Sequence, residues 1–351
     1  MKYLKRSIVL LLSLFLALPL FVSPAQAKTK QADEVELPRF TVKRLSNEEV
    51  AEILQERPKE IGTMESRTHD AAEMKIIKDN PEGFSTATGE IYTDAEARKL
   101  KQQVRAYAEE SSTDGVQANT IIGGTDDRTQ ITNTEVFPYR SVTYIYFRNP
   151  NDGGWYACTG AIIDDNTVLT AAHCLYDTYY NNYMTHLAVV PGKNGGYNPY
   201  GVASDPTNLI VTNAWASKVA PDPEHVTGDM IAVDYGVVKF PSGMFTALGS
   251  FKLKASPTQN TQINVTGYPY DKPDGTMWRA LGNIQSIWTY GNDAMYSHNA
   301  DAMQGQSGGP NFNSPDGRNF YIVGVSSAET SSWNYSCEMT PTSVTNLNAW
   351  K

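Results

Sequence analysis

From Thr120 to Lys351 the chain is cut into short apolar or alternating runs, each closed by a turn signal, and this rhythm constrains the fold more than any single residue. The runs are Ser141 to Phe147, Thr159 to Ile163, Thr167 to Thr170, Leu187 to Val190, Asn208 to Val211, Tyr235 to Phe240, Gln262 to Gly267 and Asn319 to Ser326. They are rich in β-branched and aromatic residues, and Asn-Gly, Pro-Asp-Gly and Gly-Gly between them supply the backbone freedom that tight turns need. Such punctuation predicts an all-β domain, an antiparallel barrel or sandwich of about 230 residues. No G-x-G-x-x-G or phosphate loop follows any run, so a nucleotide-binding fold has no support.

Residues 28 to 119 read differently. They hold no Trp, no Cys and only four of the 26 glycines, amid dense mixed charge. Helix-like stretches fall near Asn47 to Arg57 and Asp94 to Glu109. In the second, Ala95, Leu100, Val104 and Tyr107 recur at helical spacing. So little apolar content makes a poor separate core, and a partly helical propeptide that docks on the following domain is expected. The small, polar stretch Ser111 to Asn119 is the expected junction. Ahead of it, Lys2, Lys5 and Arg6 precede an apolar run from Ser7 to Val22 and the small residues Ala25-Gln26-Ala27, the pattern of a signal peptide cleaved after Ala27. The expected organisation is therefore a signal peptide (1-27), a propeptide (28-119) and one large domain (120-351), exported and monomeric. A net charge of -9 without a basic cluster excludes nucleic-acid binding, and no later run is long and apolar enough for a membrane anchor.

Three stretches carry groups suited to acyl transfer. Asp301-Ala302-Met303-Gln304-Gly305-Gln306-Ser307-Gly308-Gly309-Pro310 sets a serine among small residues, where its hydroxyl can face outward beside converging N–H groups. Thr170-Ala171-Ala172-His173-Cys174 places a histidine just past a strand, a general-base candidate because imidazole titrates near neutrality. Asp234 enters the apolar strand Tyr235 to Phe240, where a charge needs a partner, and ranks above Asp229 as the acid that orients the imidazole. Cys158 and Cys174 lie sixteen residues apart around the histidine turn. A disulfide between them would contribute on the order of 3 kcal/mol, with Cys337 left as a buried free thiol. With neither C-x-x-C nor H-E-x-x-H present, metal binding has little support. The Asp residues near 126 are expected to be solvated rather than to hold calcium.

The motifs around His173, Asp234-Tyr235-Gly236 and Gly305 to Pro310, in that order, resemble those of chymotrypsin-like serine proteases. Asp126-Asp127-Arg128-Thr129-Gln130-Ile131-Thr132-Asn133-Thr134 and Gly267-Tyr268-Pro269 with Asp271-Lys272 and Gly275-Thr276 resemble the bacterial glutamyl endopeptidase (V8-like) branch. The resemblance covers about residues 120 to 350. It implies two six-stranded antiparallel β-barrels, a catalytic triad of His173, Asp234 and Ser307, and an oxyanion hole from the N–H groups of Gly305 and Ser307. It implies protein or peptide substrates, the chain's own propeptide as partner, and no cofactor. Ile121-Ile122-Gly123-Gly124 resembles a trypsin-type activating N-terminus, yet Gln306 stands where an aspartate would pair with the freed amine. Maturation near Asn119-Thr120 without that ion pair is implied. In the substrate pocket Ser326 stands where Glu-specific members carry histidine, Asp301 stands at the floor position that pairs with Lys or Arg in trypsin-like enzymes, and Ala302 lies beside it. His298 is expected on a surface loop. A P1 preference for Glu or Asp is favoured slightly over Lys or Arg. The alternative from another class is a catalytically silent, protease-like binding module.

Overall fold

The structure, a computed structural model, describes residues 39–40, 43–45, 83–85, 121–222 and 224–351. The expected signal peptide and both helical stretches of the propeptide lie outside the described residues. Ahead of residue 120, three short strands are described: β1 (Arg39–Phe40), β2 (Lys43–Arg44) and β3 (Gly83–Ser85).

All eight apolar runs contain strands. The first six-strand set is β4 (Val142–Arg148), β5 (Trp155–Asp164), β6 (Thr167–Thr170), β7 (Thr185–Pro191), β8 (Asn208–Thr212) and β9 (Gly236–Lys239), arranged as β7-β4-β5-β6-β9-β8. The second is β10 (Gln262–Gly267), β11 (Trp278–Tyr290), β12 (Asp293–His298), β13 (Pro310–Asn313), β14 (Tyr321–Glu329) and β15 (Asn334–Glu338). Its order is β14-β13-β10-β11-β12-β15, and β14 also pairs with β15, so it closes into a barrel. The first set curls as a half-barrel. Its outer strands are taken by short segments, Ala203–Ser204 on β7 and β3 on β8. The chymotrypsin-like, all-β expectation thus holds, with closure by hydrogen bonds in the second unit. Pairing within both sets is antiparallel, and the short strand Lys252–Leu253 adds to β14 in parallel.

Side chains from both sheets fill the core. Tyr144 on β4 meets Tyr268, just past β10, edge to face at 5.2 Å, and both rings are buried. A C-terminal helix, α1 (Pro341–Trp350), closes the chain. Thr340 and Ser343 form a capping box and Pro341 stands in the first turn, where its missing N–H costs nothing. The helix buries Trp350 against Tyr235, with ring centroids 5.8 Å apart, and Asn346 Nδ2 donates to the Tyr235 hydroxyl at 2.8 Å. The residue before Tyr235 is Asp234, so the last helix braces the strand entry that carries the buried acid.

Candidate active site

Strand register brings the first two groups together. Thr170 at the end of β6 pairs with Gly236 at the start of β9. In an antiparallel pair those two ends leave the sheet on the same side, so the turn after β6 and the turn before β9 emerge as neighbours. His173 lies in the first and Asp234 in the second. Asp234 is fully buried and its carboxylate is fully engaged. Oδ1 accepts the His173 backbone N–H at 2.9 Å, while Oδ2 lies 2.6 Å from His173 Nδ1 and accepts the Ser327 hydroxyl at 2.5 Å. His173 Nε2 lies 2.7 Å from Ser307 Oγ. With Nδ1–H turned to the carboxylate, Nε2 is left with its lone pair toward the serine, the tautomer a general base needs. Asp229, the competing acid, instead pairs with Lys218 at 2.5 Å near the surface.

Ser307 arrives from the second barrel, three residues ahead of β13. Its turn tolerates no side chain at Gly308, which has φ +79°. A Cβ there would stand 2.0 Å from Thr170 Oγ1 and 2.3 Å from the Thr159 carbonyl. Thr159 on β5 is the bridge between the sheets. Its N–H donates to the Ser307 carbonyl at 2.7 Å, and its hydroxyl donates to the Gly305 carbonyl at 2.8 Å while accepting Tyr268 N–H at 3.1 Å. The Gln304 carbonyl accepts Tyr270 N–H, and the Gln306 carbonyl accepts Gly309 N–H. In trans peptides this turns the N–H groups of Gly305 and Ser307 away from those partners.

The expected pocket residues are placed differently from one another. Asp301 is 1% exposed, and its two oxygens accept backbone N–H groups of Ile122 at 2.7 Å and Asp127 at 2.9 Å. Its carboxylate is therefore committed to the segment where the large domain begins. Ala302 packs in the apolar interior of the closed barrel. The Ser326 hydroxyl donates to Asn311 Oδ1 at 2.9 Å. His298 is not on a surface loop. It ends β12 opposite Asn334 and is 1% exposed, because the strand runs further than its polar sequence indicates. Gln306 is buried too, and its side-chain carbonyl accepts Met303 N–H at 3.0 Å, tying the serine turn to itself.

The disulfide joins Cys158 and Cys174, and Cys337 is a buried thiol whose pKa burial pushes well up. Cys158, His173 and Cys174 bring ligand-type atoms within 4.8 Å of one another, but both sulfurs are committed to the bridge, so this group is a poor metal site. Asp126 and Asp271 both pair with Arg128, and Lys272 reaches Asp126 at 2.5 Å, so Asp126 is ion-paired rather than simply solvated as expected. Sequence reasoning missed Thr159 and Ser327. Each is a common residue type inside a strand, and only the folded register reveals its partners.

The trypsin family description matches residues 131–351. The chain belongs to the trypsin family. A glutamyl endopeptidase of Bacillus licheniformis is 30% identical over 278 residues, covering 76% of this chain and 77% of that protein. A Bacillus subtilis protein named an extracellular metalloprotease is 29% identical over 238 residues, 67% of this chain and 71% of its own. Among solved structures, a Glu endopeptidase in complex with MPD superposes with a TM-score of 0.55 at 26% identity, covering 66% of this chain and 99% of that one. This trypsin-family chain is a chymotrypsin-like serine protease related to the glutamyl endopeptidases. Among its described residues no helix is long and apolar enough to cross a membrane.

Proposed function

We propose that the protein is a secreted serine endopeptidase that works through an acyl-enzyme formed on Ser307. His173 takes the Ser307 proton as the hydroxyl attacks the peptide carbonyl, then returns it to the leaving amine. Asp234 holds the imidazole tautomer and stabilises the imidazolium. The N–H groups of Gly305 and Ser307 receive the oxyanion, each worth about 3 kcal/mol of transition-state stabilisation. The observation that carries this reading is the unbroken line Asp234, His173, Ser307, with contacts of 2.6 and 2.7 Å in a buried setting. A silent binding module would have no need to keep all three groups in register. Export fits the charged and apolar leader, and a disulfide fits an oxidising compartment.

For the P1 residue we favour Glu or Asp. The Asp301 carboxylate, the group that would draw Lys or Arg, is already engaged by two backbone N–H groups, and the B. licheniformis relative is a glutamyl endopeptidase. Glu329, buried on β14 beside Ala328, is the observation that favours a basic P1 instead. Matched peptides bearing Glu, Asp, Lys or Arg at P1 decide between them, and a strong Lys/Arg preference would overturn the acidic reading. With the best of these peptides, Asp234→Asn should lower kcat by about 10⁴-fold, because the imidazole loses the partner that fixes its tautomer. Unchanged turnover would remove Asp234 from the mechanism.

A further inference from the structure

Gly305, one of the two residues whose N–H groups would receive the oxyanion, has φ +94°. Glycine takes positive and negative φ about equally readily, so Gly305 itself does not favour one orientation of the peptide before it. The orientation comes from the Gln304 carbonyl, which accepts the Tyr270 N–H at 2.6 Å. In a trans peptide the N–H points opposite to the C=O, so this bond keeps the Gly305 N–H turned away from Tyr270. The position of Tyr270 therefore decides where that donor is aimed.

Tyr270 and Asp271 are exposed residues on the connection between β10 and β11, so burial does little to hold them. An arginine does it instead. Arg128 Nη1 donates to Asp271 Oδ1 at 2.8 Å and Nη2 donates to Asp271 Oδ2, a two-point contact that fixes the direction of the carboxylate as well as its distance. The Arg128 side chain is fully buried, and Asp126 holds it in turn, with Nε 2.9 Å from Oδ1 and Nη2 2.9 Å from Oδ2. Its backbone is anchored too, because the next two residues, Thr129 and Gln130, pair with Arg279 and Trp278 on β11. Lys272, one residue past Asp271, donates to Asp126 at 2.5 Å and lies 4.4 Å from the Trp278 ring centroid. Residues 271 and 272 are thus tied to the sheet through residues 126 to 130, and Tyr270 is presented to Gln304 from that base.

We propose that Arg128 and Asp271 are positioning residues for the oxyanion hole: their ion pair sets the Tyr270–Gln304 hydrogen bond and, through it, the direction of the Gly305 N–H. The proposal rests on the protease reading of Ser307, with Gly305 as an oxyanion donor. Arg128 belongs to the start of the large domain and Asp271 to a surface connection, so neither shares an element with His173, Asp234 or Ser307. Loosening the clamp leaves proton transfer within the triad intact and misdirects one donor. That donor acts as the carbonyl becomes tetrahedral, not when the substrate binds, so the loss falls on kcat and spares KM.

The test compares the active enzyme, cut near residue 119, with its Asp271→Ala variant, which removes an exposed carboxylate and leaves Arg128 paired with Asp126. Active sites are counted by fluorophosphonate titration run to completion. Per active site, Asp271→Ala should lower kcat by about tenfold, less than the loss of about 10²–10³-fold when a donor is removed outright. KM and the pH midpoint of kcat should not move. A peptide aldehyde of the best substrate sequence, whose adduct with Ser307 places an oxyanion in the hole, should bind about tenfold more weakly. Asp271→Glu, which keeps the charge, should recover part of both losses. Arg128→Lys, which keeps the charge but cannot make the two-point contact, should reproduce the Asp271→Ala pattern. A merely structural clamp would show as a lower urea midpoint and fewer titratable sites, with kcat per site and aldehyde affinity unchanged, and that result would overturn the proposal. A wild-type enzyme that takes no label on Ser307 and hydrolyses no peptide would overturn the protease reading itself, a result distinct from an active enzyme indifferent to Asp271.

Discussion

Thr159 Oγ1 donates to the Gly305 carbonyl and accepts Tyr268 N–H, so a single hydroxyl fixes the peptide ahead of Ser307 and ties it to the other sheet. Thr159→Val keeps the shape and strands both partners. It should cost about 1–3 kcal/mol of stability and lower kcat more than it raises KM, measured by urea unfolding and steady-state kinetics. His298 offers a pH test. Burial pushes its pKa down to about 3, well below the 6.5 of an unfolded histidine. The unfolded chain therefore binds the proton more tightly, and stability falls as pH drops from about 6.5 toward 3. His298→Gln should flatten that acid limb, read as urea midpoints at pH 4, 5 and 7. An unchanged slope would show that His298 does not govern it. At this scale the sequence was informative where chemistry demands rare arrangements: a serine between glycines, a histidine in an Ala-Ala turn, an acid entering an apolar strand. Thr159 and Ser327 carried no such mark, since threonine and serine are ordinary strand residues whose roles come from partners more than 90 positions away.

The elements were legible in proportion to their apolar content. β4, β6 and β9 are buried along most of their length and read as apolar runs. β11 was missed. It spans thirteen residues but mixes Gly282, Asn283, Gln285 and Ser286 with apolar positions. Gly282 is there because the chain packs against backbone: a Cβ would stand 2.4 Å from the Ala300 nitrogen. β15 was missed as well, since Asn334-Tyr335-Ser336-Cys337-Glu338 is a polar sequence made buried by pairing with both β12 and β14. The helix α1 left a readable signal, a threonine and a serine three apart with Pro341 in the first turn, that the strand rhythm overshadowed. Its consequence reaches the site. Trp350→Ala should cost about 3–5 kcal/mol and also lower kcat, because Tyr235 loses its stacking partner next to Asp234. Thermal melts and turnover check this together, and a loss of stability with unchanged kcat would confine the helix to a structural role.

Across the whole molecule, each sheet supplies what the other lacks. The half-barrel brings His173 and Asp234, the closed barrel brings Ser307 and its turn, and Thr159, Ser327 and the Tyr144–Tyr268 contact lock the two together. The start of the large domain joins the same assembly, with Ile122 and Asp127 bound to Asp301, and Arg128 clamped between Asp126 and Asp271. Events at the N-terminal junction are thus physically connected to the serine turn six residues after Asp301. The central claim is that Ser307, held in this assembly, acts as the nucleophile. Mass spectrometry of the chain cut near residue 119, after treatment with an organophosphonate, tests it most directly. One adduct per chain on the peptide containing Ser307, lost in His173→Ala, is the predicted result, and a cut, folded chain that carries no adduct on Ser307 would contradict it.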